Sequence, residues 1–318
     1  LDAVLVTDEK NQRYATGFPF TDGAVIVARS AAWLITDSRY IEAATNTAAC
    51  CCNVQMFDRE HSRLSLIQAA LKEAGVERLG AEEEKLSHAE YLGYEKALGM
   101  ELLPAQAIFS ELRASKSKEE IGYLREAQAI SEKALAEVLR IIKPGMTERQ
   151  VAAELVYRML LNGSEGNSFD PIVITGKKTS MPHGVPGDEV IHEGDFVTMD
   201  FGCLKHGYCS DMTRTVAIGY ATDEMKNIYN IVLEAQLAGI AAARAGIPGY
   251  EIDAAARNVI TKAGYGQYFG HGFGHSLGLD IHELPGANLS GKAIMPVGCA
   301  VSAEPGIYIP GKFGVRIE

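Results

Sequence analysis

An internal repeat in the C-terminal two-thirds of the chain constrains the fold more than any other feature. Gly145, followed six positions later by Val151, recurs 101 positions on as Gly246 followed by Ile252, and both pairs stand at predicted helix starts. The phrase GDFVTMDFG at 194–202 recurs 104 positions later as GCAVSAEPG at 298–306. An offset that drifts slowly is typical of loop insertions between equivalent elements.

The repeat predicts an α+β domain with pseudo-twofold symmetry. Each half would contribute helices and then a pair of strands bearing two acids, with the helices covering a curved antiparallel sheet. The second acids of the two pairs, Asp211 and Glu318, are 107 positions apart. We expect the two acidic hairpins to face each other, each giving two carboxylates to one shared site.

Five side chains of metal-binding type occur in these phrases: Asp200, Asp211, His275, Glu304 and Glu318. The acids stand among apolar residues, where an unpaired carboxylate is costly. Any one of them could be a structural ion-pair partner, but four in such settings favour metal ligation. Carboxylates about 4 Å apart repel by roughly 4 kcal/mol per pair at an effective dielectric near 20. Two divalent cations would compensate four anions, so the set predicts a two-metal hydrolytic site. Oxygen and imidazole ligands suit Mn²⁺, Fe²⁺, Co²⁺ or Zn²⁺.

The composition bounds the class of protein. The 318 residues, 47% of them hydrophobic, suffice for two domains with their own cores. A net charge of -11 without a basic stripe argues against nucleic acid or anionic membranes as partners. No apolar run approaches the ~18–20 residues of a membrane span. Six cysteines without a CxxC pair favour a reducing cytoplasm.

Strand and helix signals alternate over the first 108 residues. DAVLV, AVIVA and AAWLIT predict strands, and 63–74 has the apolar spacing of a helix. A capping box, Ser117-x-x-Glu120, predicts the start of a long helix that ends at 143–145, with Leu135, Val138, Leu139 and Ile142 on one stripe. A second box, Thr147-x-x-Gln150, predicts the next helix. We therefore expect an N-terminal domain over 1–108 and a catalytic domain over 109–318.

Histidines flank the predicted metal site. HGFGHSLG at 271–278 lacks the spacing and preceding strand of a dinucleotide loop, so its glycines indicate backbone passing close to a site. His271 and His275, with His282 in DIHE, predict an imidazole-lined pocket. His183 lies on a loop rich in proline and glycine, and its own setting leaves structural and functional roles equally open.

VTMDFG, SDMTRT, HGFGHSLGLDIHE, AEPGIY and GVRIE together resemble the pita-bread metallopeptidases of the Xaa-Pro aminopeptidase and prolidase group. The resemblance covers the whole chain. YATGF at 14–18 and DSRY at 37–40 resemble that group's smaller α/β creatinase-type N-terminal domain. The fold implied for the second domain is the pita-bread (creatinase/aminopeptidase) fold.

The resemblance also implies roles for single residues. The five side chains correspond to the ligands of a dinuclear centre, usually of Mn²⁺, with Co²⁺, Zn²⁺ or Fe²⁺ as alternatives. Glu304 would additionally move a proton to the leaving nitrogen. His183 and His282 would contact substrate at the scissile carbonyl. His271 would line the proline-side pocket, and Arg316 would orient substrate and the last glutamate.

The implied activity is removal of an N-terminal residue that precedes proline, by a homodimer. Xaa-Pro dipeptidase (prolidase) activity is the alternative, and the sequence does not decide between them. Methionine aminopeptidases usually lack the N-terminal domain, and metal-free creatinase-like hydrolases lack the ligand set. A non-catalytic interaction module on the same scaffold is a remote alternative, usually marked by lost ligands. Relatives extend beyond both ends of this sequence, so we expect a longer natural chain.

Overall fold

Two units, Leu1–Glu111 and Leu112–Glu318, divide the computed structural model, which describes all 318 residues. The boundary predicted at residue 108 lies within the helix that joins them, Gln106–Ala114. None of the helices is both long and apolar enough to span a membrane.

A six-stranded mixed sheet with helices forms the first unit. The strand order is β4-β3-β2-β1-β5-β6, with β1–β2 and β2–β3 antiparallel and the other pairs parallel. The three strands and the helix predicted from the sequence are present as β1, β2, β3 and α3. The elements are β1 Ala3–Val6, α1 Glu9–Thr16, β2 Gly23–Ala28, β3 Ala32–Thr36, α2 Ile41–Ala48, β4 Asn53–Met56, α3 Arg63–Glu73, β5 Leu79–Ala81, α4 His88–Leu98, β6 Leu102–Pro104 and α5 Gln106–Ala114.

Two helices and then six strands form the first half of the second unit. Both predicted capping boxes are present, at Ser117 and at Thr147. Strands β8, β9 and β12 form one antiparallel sheet, and β7, β10 and β11 form another. The elements are α6 Lys118–Val138, α7 Glu148–Leu161, β7 Gly166–Asn167, β8 Ile172–Thr175, β9 Phe196–Phe201, β10 Cys203–Lys205, β11 Tyr208–Cys209 and β12 Met212–Ala217.

The second half of this unit repeats the first. Its elements are α8 Asp223–Ala242, α9 Gly249–Lys262, β13 Gly274–Ser276, β14 Glu283–Ala287, β15 Gly306–Ile309 and β16 Phe313–Arg316. Helices α7 and α9 both have 14 residues and start 101 positions apart. The glycines before them, Gly145 and Gly246, share φ values of 91° and 89°, and isolated bridges pair Thr147 with Val190 and Pro248 with Ile294. The predicted pseudo-twofold α+β domain is confirmed.

The two acidic hairpins meet through β12 and β16. The amide of Arg316 and the hydroxyl of Thr215 are 3.2 Å apart, and this hydroxyl also donates to the carbonyl of Arg316 at 2.9 Å. The amide of Glu318 donates to the carbonyl of Thr213 at 3.1 Å. This junction brings the ends of the two halves together.

Two local predictions were wrong. Helix α6 ends at Val138 rather than near residue 143, and the next residues form tighter turns. Leu139, placed on the apolar stripe, is instead 43% exposed. In addition, only Asp200 lies inside a strand, whereas the other three acids lie just outside one.

Candidate active site

Three carboxylates from the two acidic hairpins converge in the second unit. Asp200 lies in β9, Asp211 directly precedes β12, and Glu318 follows β16 by two residues. One oxygen atom from each lies within 4.8 Å of the other two. The hydroxyl of Thr213 donates to Oε2 of Glu318 at 3.1 Å, which fixes one side of that carboxylate.

His275 and Glu304 complete the cluster. Nε2 of His275 lies 3.4 Å from Oδ2 of Asp211 and 3.2 Å from Oε1 of Glu304. Ser302 holds both residues, since its amide donates to the carbonyl of His275 and its hydroxyl to Oε1 of Glu304 at 2.9 Å. The structure therefore brings all five residues that the sequence proposed as ligands to one place.

The cluster has more negative charge than its own residues can balance. Burial, together with the charges of Asp200 and Glu304, raises the pKa of Asp211 to about 8. Burial and the charge of Asp211 raise the pKa of Glu318 well above its ordinary value. Burial also raises the pKa of Asp200, although Arg316 donates to its Oδ2 at 2.6 Å. Without further positive charge, the neutral forms of these acids are favoured more strongly than they would be in water.

Glu304 differs from the other three acids. Burial works to raise its pKa, but the hydrogen bond and charge of His275 outweigh burial and leave the pKa below the ordinary value. Burial works to lower the pKa of His275, but the hydrogen bond and the charge of Glu304 outweigh burial and raise the pKa of the imidazole. Glu304 is therefore the carboxylate that stays ionised and can accept a proton.

The chemistry of these side chains fits divalent cations. Oε1 of Glu318 is buried and has no hydrogen-bond partner. Nδ1 of His275 faces the carbonyl oxygen of Ser276 at 3.2 Å and can donate there. Nε2 faces Asp211 and Glu304, so the loss of its proton would leave a lone pair for a cation at that place. Histidine ligands of metals commonly have such a backbone partner on the second nitrogen. A bound cation would give the buried oxygen of Glu318 a partner and would take the place of the proton between His275 and the carboxylates.

A chain of hydrogen bonds joins the carboxylates to His271. Arg316 is buried, and its Nη1 donates to the hydroxyl of Tyr308 at 2.9 Å. That hydroxyl lies 2.9 Å from Nε2 of His271, whose Nδ1 faces the carbonyl oxygen of Gly272 at 2.8 Å. Burial lowers the pKa of His271, so the neutral ring can donate from Nδ1 and accept from Tyr308.

His183 and His282 reach the same cavity from more exposed positions. The ring of His282 lies 4.3 Å from that of His275 in an edge-on arrangement. Burial, and then the charge of His275, lower the pKa of His282. His183 follows the 3₁₀ turn Gly176–Ser180 and lines the cavity beside Pro182.

The cavity has a volume of about 480 Å³ and includes all the predicted site residues except Glu318 in its lining. Sequence reasoning missed Phe169, Asp170, Ile172, Ile281 and Asn288, which also line it. It also missed Tyr308 and Thr213, which hold Arg316 and Glu318. These two residues lie in the AEPGIY and SDMTRT phrases, so their position beside predicted ligands could have indicated that they contact the site.

Comparison with known proteins gives consistent results for both units. The model of metallopeptidase family M24 matches residues 122–318, and that of the Creatinase/Prolidase N-terminal domain matches residues 1–115. An uncharacterized peptidase of Bacillus subtilis, YqhT, is 42% identical over 100% of this chain and 90% of its own length.

Two solved structures extend this likeness to the fold. The Xaa-Pro dipeptidase from Bacillus anthracis has a TM-score of 0.95 and 43% identity, covering 99% of this chain and 88% of that one. The X-Pro aminopeptidase from Thermotoga maritima has a TM-score of 0.94 and 34% identity, covering 100% and 91%. With its creatinase-type N-terminal domain and its pita-bread catalytic fold, this chain belongs to metallopeptidase family M24.

Proposed function

We propose that the protein is a metal-dependent exopeptidase that hydrolyses the bond between an N-terminal residue and proline, an Xaa-Pro aminopeptidase. The observation that carries this proposal is the convergence of five metal-binding side chains at the edge of a 480 Å³ cavity. The names of the similar solved structures support the substrate class.

Two divalent metal ions are the proposed cofactors, with Mn²⁺ as the preferred ion and Co²⁺, Zn²⁺ or Fe²⁺ as alternatives. The holding residues would be Asp200, Asp211, His275, Glu304 and Glu318, whose oxygen and nitrogen donors suit such ions. When bound, such ions polarise the scissile carbonyl and acidify a water molecule.

The protein's own residues would move the protons and stabilise the developing charge. Glu304 is the base in this proposal, because its ionised state lets it take a proton from water and pass it to the imino nitrogen of proline. His183 and His282 line the same cavity as the acids, and in this proposal their N–H groups donate to the developing oxyanion.

His271 and Arg316 would form the proline side. An Xaa-Pro bond has no N–H and its ring fixes φ, so a pocket of matching shape can select it without a hydrogen bond to that amide. The uncharged ring of His271 suits an apolar pyrrolidine. Arg316 acts at the back of this pocket, where it holds Asp200 and Tyr308.

The charges of the cavity favour an aminopeptidase over a dipeptidase. Arg316 is the one Lys or Arg in the lining, and its nitrogens already donate to Thr213, Tyr308 and Asp200. The carboxylate of a bound dipeptide would need a cation or several donors. A longer peptide has no carboxylate at that position. Xaa-Pro dipeptidase activity stays the alternative, since a similar solved structure has that name.

The remaining proposals concern the oligomeric state, the cellular compartment and the domain bounds. We propose a homodimer in the cytoplasm, with residues 1–108 as the N-terminal domain and residues 109–318 as the catalytic domain. The absence of CxxC pairs among the six cysteines supports a reducing compartment.

A peptide assay tests the proposed function. Purified protein is freed of metal, supplied with Mn²⁺, and given Ala-Pro, Ala-Pro-Ala and Ala-Ala-Ala while free alanine is measured. We expect alanine from Ala-Pro-Ala, little from Ala-Ala-Ala, and none after addition of a chelator. Faster cleavage of Ala-Pro than of Ala-Pro-Ala would favour the dipeptidase instead.

Variants connect this activity to the site. Asp211→Ala and Glu304→Ala should lower kcat/KM by about 100-fold or more, because each removes an oxygen donor and Glu304 also moves protons. Asp188→Ala is the matched control, since this acid is 86% exposed and pairs only with Arg149. Full, chelator-resistant cleavage by either site variant would contradict the proposal.

A further inference from the structure

Asp253 and Arg257 form a buried ion pair on α9, one helical turn apart. Nε of Arg257 donates to Oδ2 of Asp253 at 2.7 Å, and Nη2 donates to Oδ1 at 2.9 Å. The side chain of Asp253 is fully buried and that of Arg257 is 17% exposed. A two-point contact of this kind fixes the plane of the guanidinium group.

The pair binds the backbone of a segment outside its own helix, Phe269 to Phe273. Nη1 of Arg257 donates to the carbonyl of Phe269 at 2.9 Å, and Nη2 donates to that of His271 at 2.6 Å. The amide of Phe273 donates to Oδ1 of Asp253 at 2.9 Å. The guanidinium carbon also lies 4.1 Å from the centre of the Phe269 ring. Every second residue of the segment is thus held by one ion pair.

The same segment presents its other groups to the active site. The ring of His271 lines the cavity and meets Tyr308, and the carbonyl of Phe273 accepts from the amide of Glu304 at 2.8 Å. A pair that only stabilised α9 would need none of the three bonds to this segment. One of them goes to the carbonyl of His271, whose ring lines the cavity, and another goes to the carbonyl of Phe269, two residues earlier.

We propose that Asp253 and Arg257 are positioning residues that set the place of His271 and thereby the affinity for the proline side of the substrate. Neither residue lines the cavity, so each acts through the backbone of the segment. This inference rests on the proposed function for its substrate, but the placement of the segment can be tested without any substrate.

Arg257→Lys is the decisive variant. Lysine keeps the positive charge beside Asp253, but a single ammonium group cannot reproduce the fork that reaches Asp253 and two carbonyls together. A displaced His271 would bind the substrate more weakly in the ground state and in the transition state alike. We therefore expect KM for Ala-Pro-Ala to rise roughly tenfold while kcat changes less than twofold. Mn²⁺ content should be unchanged.

Arg158→Lys on α7 is the matched control. Arg158 also pairs with an acid one turn earlier, Glu154, and is similarly buried at 22% exposure, but its other partner is Glu137 on α6 and not the backbone of a segment that lines the cavity. KM should stay within twofold of wild type. In a His271→Ala background, Arg257→Lys should add less than a twofold further rise in KM, because the residue it positions is absent.

Amide hydrogen exchange of the metal-free protein gives the readout that needs no activity. Arg257→Lys should speed exchange in peptides covering 269–273, whereas Arg158→Lys should not. Unchanged exchange there overturns the proposal, as does an equal rise in KM with and without His271. A wild type that fails to cleave Ala-Pro-Ala contradicts the proposed function alone, and the exchange result then decides the positioning role.

Discussion

Oε1 of Glu318 shows at the scale of one atom why the cluster is more than a set of structural acids. This oxygen is buried and has no hydrogen-bond partner, while Oε2 accepts from Thr213. Fully buried Glu148 is different, because its two oxygens accept from the amides of Thr175 and Gly187 and from Lys178. A structural acid has its partners within the protein, whereas Glu318 lacks one.

Glu318→Gln separates the two roles. Burial and the charge of Asp211 raise the pKa of Glu318 and so favour its neutral form in the metal-free protein, which the amide resembles. We therefore expect the free energy of unfolding to change by less than about 1 kcal/mol. Affinity for Mn²⁺ should fall at least tenfold, since a charged ligand is lost. Urea unfolding and metal titration measure the two quantities.

Glu148→Gln provides the comparison for this prediction. Removing one member of a buried ion pair destabilises by about 3–5 kcal/mol, so this variant should lose stability and keep its affinity for Mn²⁺. If Glu318→Gln behaved in the same way as Glu148→Gln, Glu318 would be a structural acid.

At the scale of elements, a second ion cluster fixes the loop between β13 and β14. Glu283 is paired with both Arg113 and Lys116, and Arg113 also pairs with Asp280 at 2.6 Å. Burial works to raise the pKa of Glu283, but the charges of Lys116 and Arg113 outweigh burial and hold it below its ordinary value. The loop that carries His282 is therefore held by two cations from the start of the second unit.

Glu283→Gln should destabilise the protein by about 3 kcal/mol at pH 7, because two buried cations lose their shared partner. A depressed folded pKa contributes stability that is present above the unfolded value of 4.5 and is lost as pH falls through the folded pKa. The difference between variant and wild type should accordingly shrink below pH 4.5 in urea unfolding.

Glu189→Gln is the control for this element. Glu189 also pairs with a lysine, Lys178, but its side chain is 53% exposed, so solvent screens the pair. No measurable change in stability is expected at either pH. A difference for Glu283→Gln that grew as pH fell would contradict the argument.

Local sequence patterns predicted the helices and strands well, but they did not predict which distant residues form ion pairs. The capping boxes at Ser117 and Thr147 place helix starts correctly, because the bonds that cap a helix lie within four residues. The repeat predicted that the acids would share a site. The pairs of Glu283 with Arg113 and Lys116 span 170 and 167 positions, and no local pattern records which buried ions meet at that distance.

At the scale of the whole molecule, the two units have separate interiors. The first has clusters around Trp33 and Leu34, and the second has clusters around Phe201 and Phe273. The candidate ligands all belong to the second unit, Leu112–Glu318. Metal binding should therefore stabilise one unit directly and leave the other dependent on its own core.

Calorimetry should resolve two unfolding transitions, only one of which responds to metal. Mn²⁺ at 100 times its dissociation constant should raise the free energy of unfolding of the second unit by about 2.7 kcal/mol. A change of 1 kcal/mol shifts the midpoint of thermal unfolding of a domain of this size by about 2–4 °C, so chelation should lower one midpoint by about 5–10 °C. Ile26→Ala, which opens a cavity beneath β2, should lower the other midpoint and identify it as the first unit. A single transition that moves as a whole with chelator, or a shift of both midpoints, would show that the units do not unfold independently. A chelator without effect on either midpoint would contradict metal binding at the acidic cluster.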